Sequence, residues 1–245
     1  MEQFRVASFF DISRVLEALR TAEVDDKSII KKDSVIPSKW LPDLVTKCES
    51  IGLRLSAKYV TRAISTLNKE KSTVGDWREM IPELQHRITD EMDDRLFMYI
   101  PPERADRYDE KELLGKEVNA KFPTIQYDIT EAGNCYACGR STAVVFHLMR
   151  IMEVGVQIFG TKLGVPLTGE KVWQVILDGV NAAIKELPAK DATTVELCHI
   201  SANLYSVKLA WRNEVMHPKD TYTLEEADNL IRQVKIFMEQ LAKVV

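Results

Sequence analysis

The chain has 245 residues, 45% of them hydrophobic and 29% charged, enough apolar content to bury a core in one large or two small domains. A net charge of -4 and a pI near 5.7 exclude the broad basic surface of a general DNA-coating protein, though not a small basic site for one or two phosphates. The start, Met1-Glu2-Gln3-Phe4-Arg5, lacks the features of a signal peptide, and no apolar run approaches ~18 residues. With four cysteines and no export signal, the expectation is a cytoplasmic protein with reduced thiols and no membrane contact.

Few glycines and many apolar positions spaced by three and four predict an all-α fold. The N-terminal half predicts helices around Ile12–Leu19, Leu41–Ile51, Ser56–Leu67 and Trp77–Phe97. The run Leu96–Ile100 reads as a short strand or a helix end before Pro101-Pro102. The charged, proline-marked stretch from Pro101 to Gly115 predicts a boundary. It divides the chain into a mostly helical region, 1–115, and a helical bundle, 116–245.

From Phe122 onward the pattern is cleaner. A helix over Ile125–Cys138 breaks at Gly139-Arg140, and Ser141 opens a second helix running to about Lys162. That second helix is apolar nearly all round, as a central helix should be. Its polar positions, His147, Arg150, Glu153 and Gln157, form one stripe. The stripe reads either as the lining of a cleft or as a solvated edge with internal ion pairs. A third helix runs Thr168–Leu187 and a fourth Thr193–Met216. The fifth opens on the capping box Thr223-Leu224-Glu225-Glu226 and keeps a three-four stripe from Leu224 to Val245. Short turns between these helices predict an up-and-down bundle.

The motif with the most chemistry is Trp211-Arg212-Asn213-Glu214-Val215-Met216-His217-Pro218. Histidine moves protons near neutral pH, and arginine neutralises phosphate oxygens bidentately. With 14 arginines and 4 histidines in 245 residues, chance supplies roughly 0.2 such R-x4-H matches, so context must carry the reading. Positions five apart diverge by about 140° on a regular helix, but Pro218 disfavours the helical conformation at His217. The direction of His217 is then set by the turn. A purely structural alternative leaves Arg212 as a helix C-terminal cation and His217 as a cap.

The C-terminal half resembles the HEPN superfamily of helical bundles, which carry an R-x4–6-H motif late in the fold. The resemblance rests on Arg212-Asn213 and His217, on the following Asp220-Thr221-Tyr222 and Glu225-Glu226-Ala227, and on the run Gly139 to Arg150; it covers roughly Phe122 to Val245. It implies a metal-independent endoribonuclease needing no cofactor, working as a homodimer on RNA, in the manner of a toxin or an antiviral effector. His217 would transfer protons, Arg212 would stabilise the phosphorane, and Asn213 would hold the histidine ring or a phosphate oxygen. Arg150, Glu153, His147 and Lys219 would support substrate binding, with Glu153 orienting Arg212. Two alternatives stay open. One is a catalytically silent module that binds protein or nucleotide. The other is the toxin half of a toxin–antitoxin pair, held by a nucleotidyltransferase-like antitoxin or another defence partner.

The cysteines offer less. Cys135-x2-Cys138 is the first half of a zinc pattern with no second half at usable spacing, and Cys48 and Cys198-His199 do not complete it. The expectation is passive thiols and no metal. No Walker A loop, dinucleotide fingerprint or HExxH is present.

Overall fold

The computed structural model describes residues 6–21, 23, 25–30, 36–67, 72–166, 173–209 and 221–245. The fold is all-α, as the periodicity predicts, and the one β contact among the described residues is an isolated bridge between Ile29 and Thr73. The chain forms two compact units, Met1–Phe97 and Met98–Val245. The division falls earlier than the 115/116 boundary expected from charge and proline. Leu113 and Leu114 are the reason, because both are buried in the core of the second unit.

The first unit contains α1 (Val6–Thr21), α2 (Leu41–Ser50), α3 (Arg54–Leu67) and α4 (Val74–Asp93). Leu41, Leu44, Cys48, Ile51, Leu53, Val60, Trp77, Ile81 and Leu84 form its core. Two side chains from the α4 end tie off the α2–α3 corner. Glu91 accepts from the backbone N–H groups of Leu55 (2.9 Å) and Ser56 (2.7 Å) and from the Ser56 hydroxyl. Arg95 donates to the Ile51 and Gly52 carbonyls at 2.8 and 2.7 Å, satisfying the C-terminal end of α2. Residues Arg95 to Ile100 form neither strand nor helix, and Leu96, Phe97, Met98 and Tyr99 are exposed. The apolar run is thus a connection rather than a buried element.

The second unit comprises α5 (Pro102–Ala105), α6 (Lys116–Lys121), α7 (Gln126–Ala137), α8 (Ser141–Lys162), α9 (Trp173–Lys185), α10 (Ala192–Val207) and α11 (Leu224–Val244). Helix α8 is central. It packs on α7, α9 and α11, and nine of its residues, from Val144 to Gly160, are buried. It is 22 residues long, and an 18-residue window within it has a mean hydropathy of 1.4, long and apolar enough to cross a membrane by composition, but half of that window is buried in the protein. The apolarity therefore has a local cause in the core.

The turn between α7 and α8 follows from sequence. Gly139 adopts φ 71°, and the Gly139 and Arg140 N–H groups donate to the Tyr136 and Cys135 carbonyls. This closes α7 with the left-handed residue that glycine tolerates best. Helix α8 then runs back along α7, bringing His147 and Arg150 opposite Asp128. The expected up-and-down alternation holds for α7–α8 and for α9–α10, where Asn181 meets Ser201 and Gln174 meets Lys208. It breaks between α8 and α11, which run parallel: Ser141 contacts Tyr222 at one end, and Gly155 faces Phe237 and Met238 further along. The break lies after α8, because Trp173, opening α9, contacts Glu153 midway along α8, while Gly179 lies against Val165 beyond its end.

Candidate functional site

Arg212, Asn213, His217 and Lys219 lie outside the described residues, as does the Trp211–Pro218 stretch that contains them. The flanks of that stretch are described. On one side Val207 is buried at the end of α10, and Lys208 donates to Gln174. On the other, the Tyr222 backbone is fixed to the start of α8. Its N–H donates to the Thr142 hydroxyl at 3.2 Å, and its carbonyl accepts from the Ser141 hydroxyl. Thr223 then caps α11 in the predicted capping box, with reciprocal bonds to Glu226.

An open groove lies at this junction, lined by Arg140, Ser141, Thr142, Phe146, Thr221 and Tyr222 among others. Arg140 is exposed, and Phe146 is 49% exposed. The face continues along the α7–α8 pair. The Tyr127 ring, 68% exposed, lies 6.2 Å edge-on from the His147 ring, and Phe146 lies 5.8 Å from it on its own helix. Two exposed aromatic rings therefore flank a histidine, between Arg140 at one end and Arg150 at the other.

Asp128 organises this face from within. It is nearly buried, and one carboxylate oxygen takes both His147 Nδ1 at 2.8 Å and the Arg150 Nε–H at 2.7 Å. The Asp128 carboxylate raises the Arg150 pKa through its hydrogen bond and its charge. Asp128 was not among the sequence candidates. Its signal is a charge among the buried positions Ile125, just before α7, and Ile129 and Ala132 within it.

The polar stripe of α8 divides in two. His147 and Arg150 turn toward α7 and Asp128, while Glu153 accepts from the Trp173 indole N–H and, at 3.4 Å, from the Gln157 amide. Glu153 is thus engaged with α9 and with its own helix; Arg212, which it is expected to orient, lies outside the described residues.

The donor atoms of Glu131, Cys135 and His147 all lie within 4.8 Å of one another, a set able to hold a metal ion. The CxxC spacing does not reveal it, because the ligands come from two helices and only one of the two cysteines takes part. Burial, with the Glu131 charge behind it, pushes the Cys135 thiol pKa up. Cys48 is fully buried in the other unit, and burial pushes its pKa to about 12, so it is chemically inert.

In comparisons with known proteins, no family model, curated protein or solved structure matches the chain.

Proposed function

We propose that the chain is a metal-independent endoribonuclease of HEPN type. Arg212 and His217 carry the chemistry, and the aromatic and cationic face of α7 and α8 holds the RNA. The observation that supports this most is the juxtaposition at Tyr222. Tyr222, five positions beyond His217 in the sequence, is anchored beside a groove presenting Arg140 and exposed Phe146, with Tyr127 and Arg150 further along. Aromatic faces stack bases without regard to sequence, and arginines meet phosphates, which together are what single-stranded RNA requires. An acidic protein suits this role because the cations are local.

In this reading the RNA 2′-OH is the nucleophile. His217 takes its proton as the oxygen attacks phosphorus. Arg212 stabilises the charge on the phosphorane with its forked donors, and Asn213 holds the ring or a phosphate oxygen. The P–O5′ bond then breaks, with the leaving oxygen protonated by the His217 of a second copy. The products are a 2′,3′-cyclic phosphate and a 5′-hydroxyl. Lys219 adds a cation beside the motif. A homodimer supplies the two histidines, across an interface of at least ~1,000 Å². The setting proposed is the cytoplasm, with the activity serving as a toxin or antiviral effector.

Purified protein is expected to cleave RNA in the presence of EDTA and leave cyclic phosphate ends. Arg212→Ala and His217→Ala each abolish cleavage with the helical circular dichroism unchanged. Phe146→Ala weakens RNA binding by roughly 1–3 kcal/mol, the stacking energy of one base. Mixing the Arg212→Ala and His217→Ala chains restores part of the activity if one cleft is assembled from both. Cleavage that survives in both single variants would refute the assignment.

A further inference from the structure

We propose that Glu131, Cys135 and His147 form a binding site for a zinc-class divalent cation that staples α7 to α8 and leaves a fourth coordination position open. Asp128, Glu131 and Cys135 follow one another on α7 at spacings of three and four, so they share the face turned toward His147 on α8. The three donor atoms already lie within 4.8 Å of one another. Tetrahedral bonds of about 2.0–2.3 Å set donors roughly 3.5 Å apart, so small side-chain rotations close the site. One thiolate, one imidazole and one carboxylate suit zinc, and disfavour the all-oxygen shells of magnesium or calcium.

The surroundings supply what such a site needs beyond its ligands. Asp128 binds His147 through Nδ1 at 2.8 Å, which leaves Nε2 as the nitrogen with a lone pair for a metal. Arg150 fixes Asp128 in turn, donating from Nε at 2.7 Å. On the other ligand, the Asn134 amide donates to Glu131 Oε1 at 3.0 Å. Asn134 is itself held by the Asp109 N–H at 2.8 Å, from a backbone at φ 58° that a non-glycine residue seldom adopts. The histidine and the carboxylate are thus both oriented from behind. On binding, the Cys135 S–H bond gives way to a sulfur–metal bond, and its proton leaves to solvent. The site shares His147 with the face proposed to hold RNA, but none of its readouts involves RNA, so it stands or falls independently of cleavage.

The test is titration of the chelator-stripped, full-length reduced protein with Co²⁺ and then Zn²⁺. Wild type is expected to bind one ion per chain and to show tetrahedral cobalt bands with a thiolate-to-cobalt charge-transfer band, which zinc then bleaches. Cys135→Ser and His147→Asn, each checked for native helical dichroism, lower zinc affinity at least ~100-fold, and Cys135→Ser also removes the charge-transfer band. Asp128→Asn keeps that band but lowers affinity about 10–100-fold, the usual cost of losing a carboxylate behind a ligating histidine. Cys138→Ser leaves spectrum and affinity unchanged. Absence of a thiolate–cobalt band in wild type would overturn the proposal, as would its persistence in Cys135→Ser.

Discussion

Glu91 shows how one side chain can hold a corner through its charge. It accepts two backbone N–H groups and a hydroxyl at the start of α3. Burial pushes its pKa up, but the Ser56 hydroxyl, the two backbone donors and the Arg95 charge outweigh that and leave it below the ordinary 4.5. A depressed carboxylate contributes stability above its unfolded pKa and loses it as pH falls through the folded value. Glu91→Gln should therefore destabilise the protein at pH 7 by about 1–2 kcal/mol, on the scale of hydrogen bonds to a charged acceptor. Urea denaturation of both proteins at pH 7 and below pH 4.5 should show the gap closing in acid. A gap independent of pH would mean that the charge contributes nothing.

At the level of elements, Gly155 sets how closely α8 and α11 approach. A Cβ there would lie 2.6 Å from Phe237 Cε1 and 2.9 Å from Met238 Sδ, and both side chains are fully buried. Alanine favours a helix over glycine by about 1 kcal/mol, but forcing a methyl into a packed core costs about 1–3. Because both neighbours are buried and the contacts are shorter than real Cβ atoms show, Gly155→Ala should lower stability by about 1 kcal/mol net, read as a lower urea midpoint with an unchanged slope. The helices themselves are legible in the sequence. The capping box gives the start of α11 to the residue and its three-four stripe gives the helix's course, while the apolarity of α8 marks it as central. Their arrangement is less legible. Periodicity reports which face a helix buries but not against what, so the parallel course of α8 and α11 leaves no trace in the pattern. For the same reason the pattern marks His147, Arg150 and Asp128 as polar positions on their own helices but not as partners 19 and 22 residues apart. Helix α6, six residues long, is too short for periodicity to mark.

At the scale of the whole molecule, the two units have separate cores, with no residue in common among the described residues. Each fully buried large apolar group contributes about 1.5–3 kcal/mol within its own unit, which argues for independent folding of the second unit and its core of 31 described residues. Residues 98–245 expressed alone should therefore give a helical dichroism spectrum and a single cooperative thermal transition. Gradual melting with strong dye binding to exposed apolar surface would show that this core depends on the first unit.

The parallel pairing of α8 with α11 also has a consequence for biosynthesis. Tyr222 and Ser141 meet across 81 positions of chain, and α11 buries eight residues, among them Phe237 and Met238 against α8. Until residues 224–244 have left the ribosome, the central helix α8 has one flank open to water. At about 5–20 residues per second of synthesis, that exposure lasts seconds, long enough for chaperones or another nascent chain to reach it. The first unit has no such delay, since its core is complete once α4 emerges. A stop codon between Tyr222 and Phe237 would thus leave a folded first unit joined to an aggregation-prone remainder.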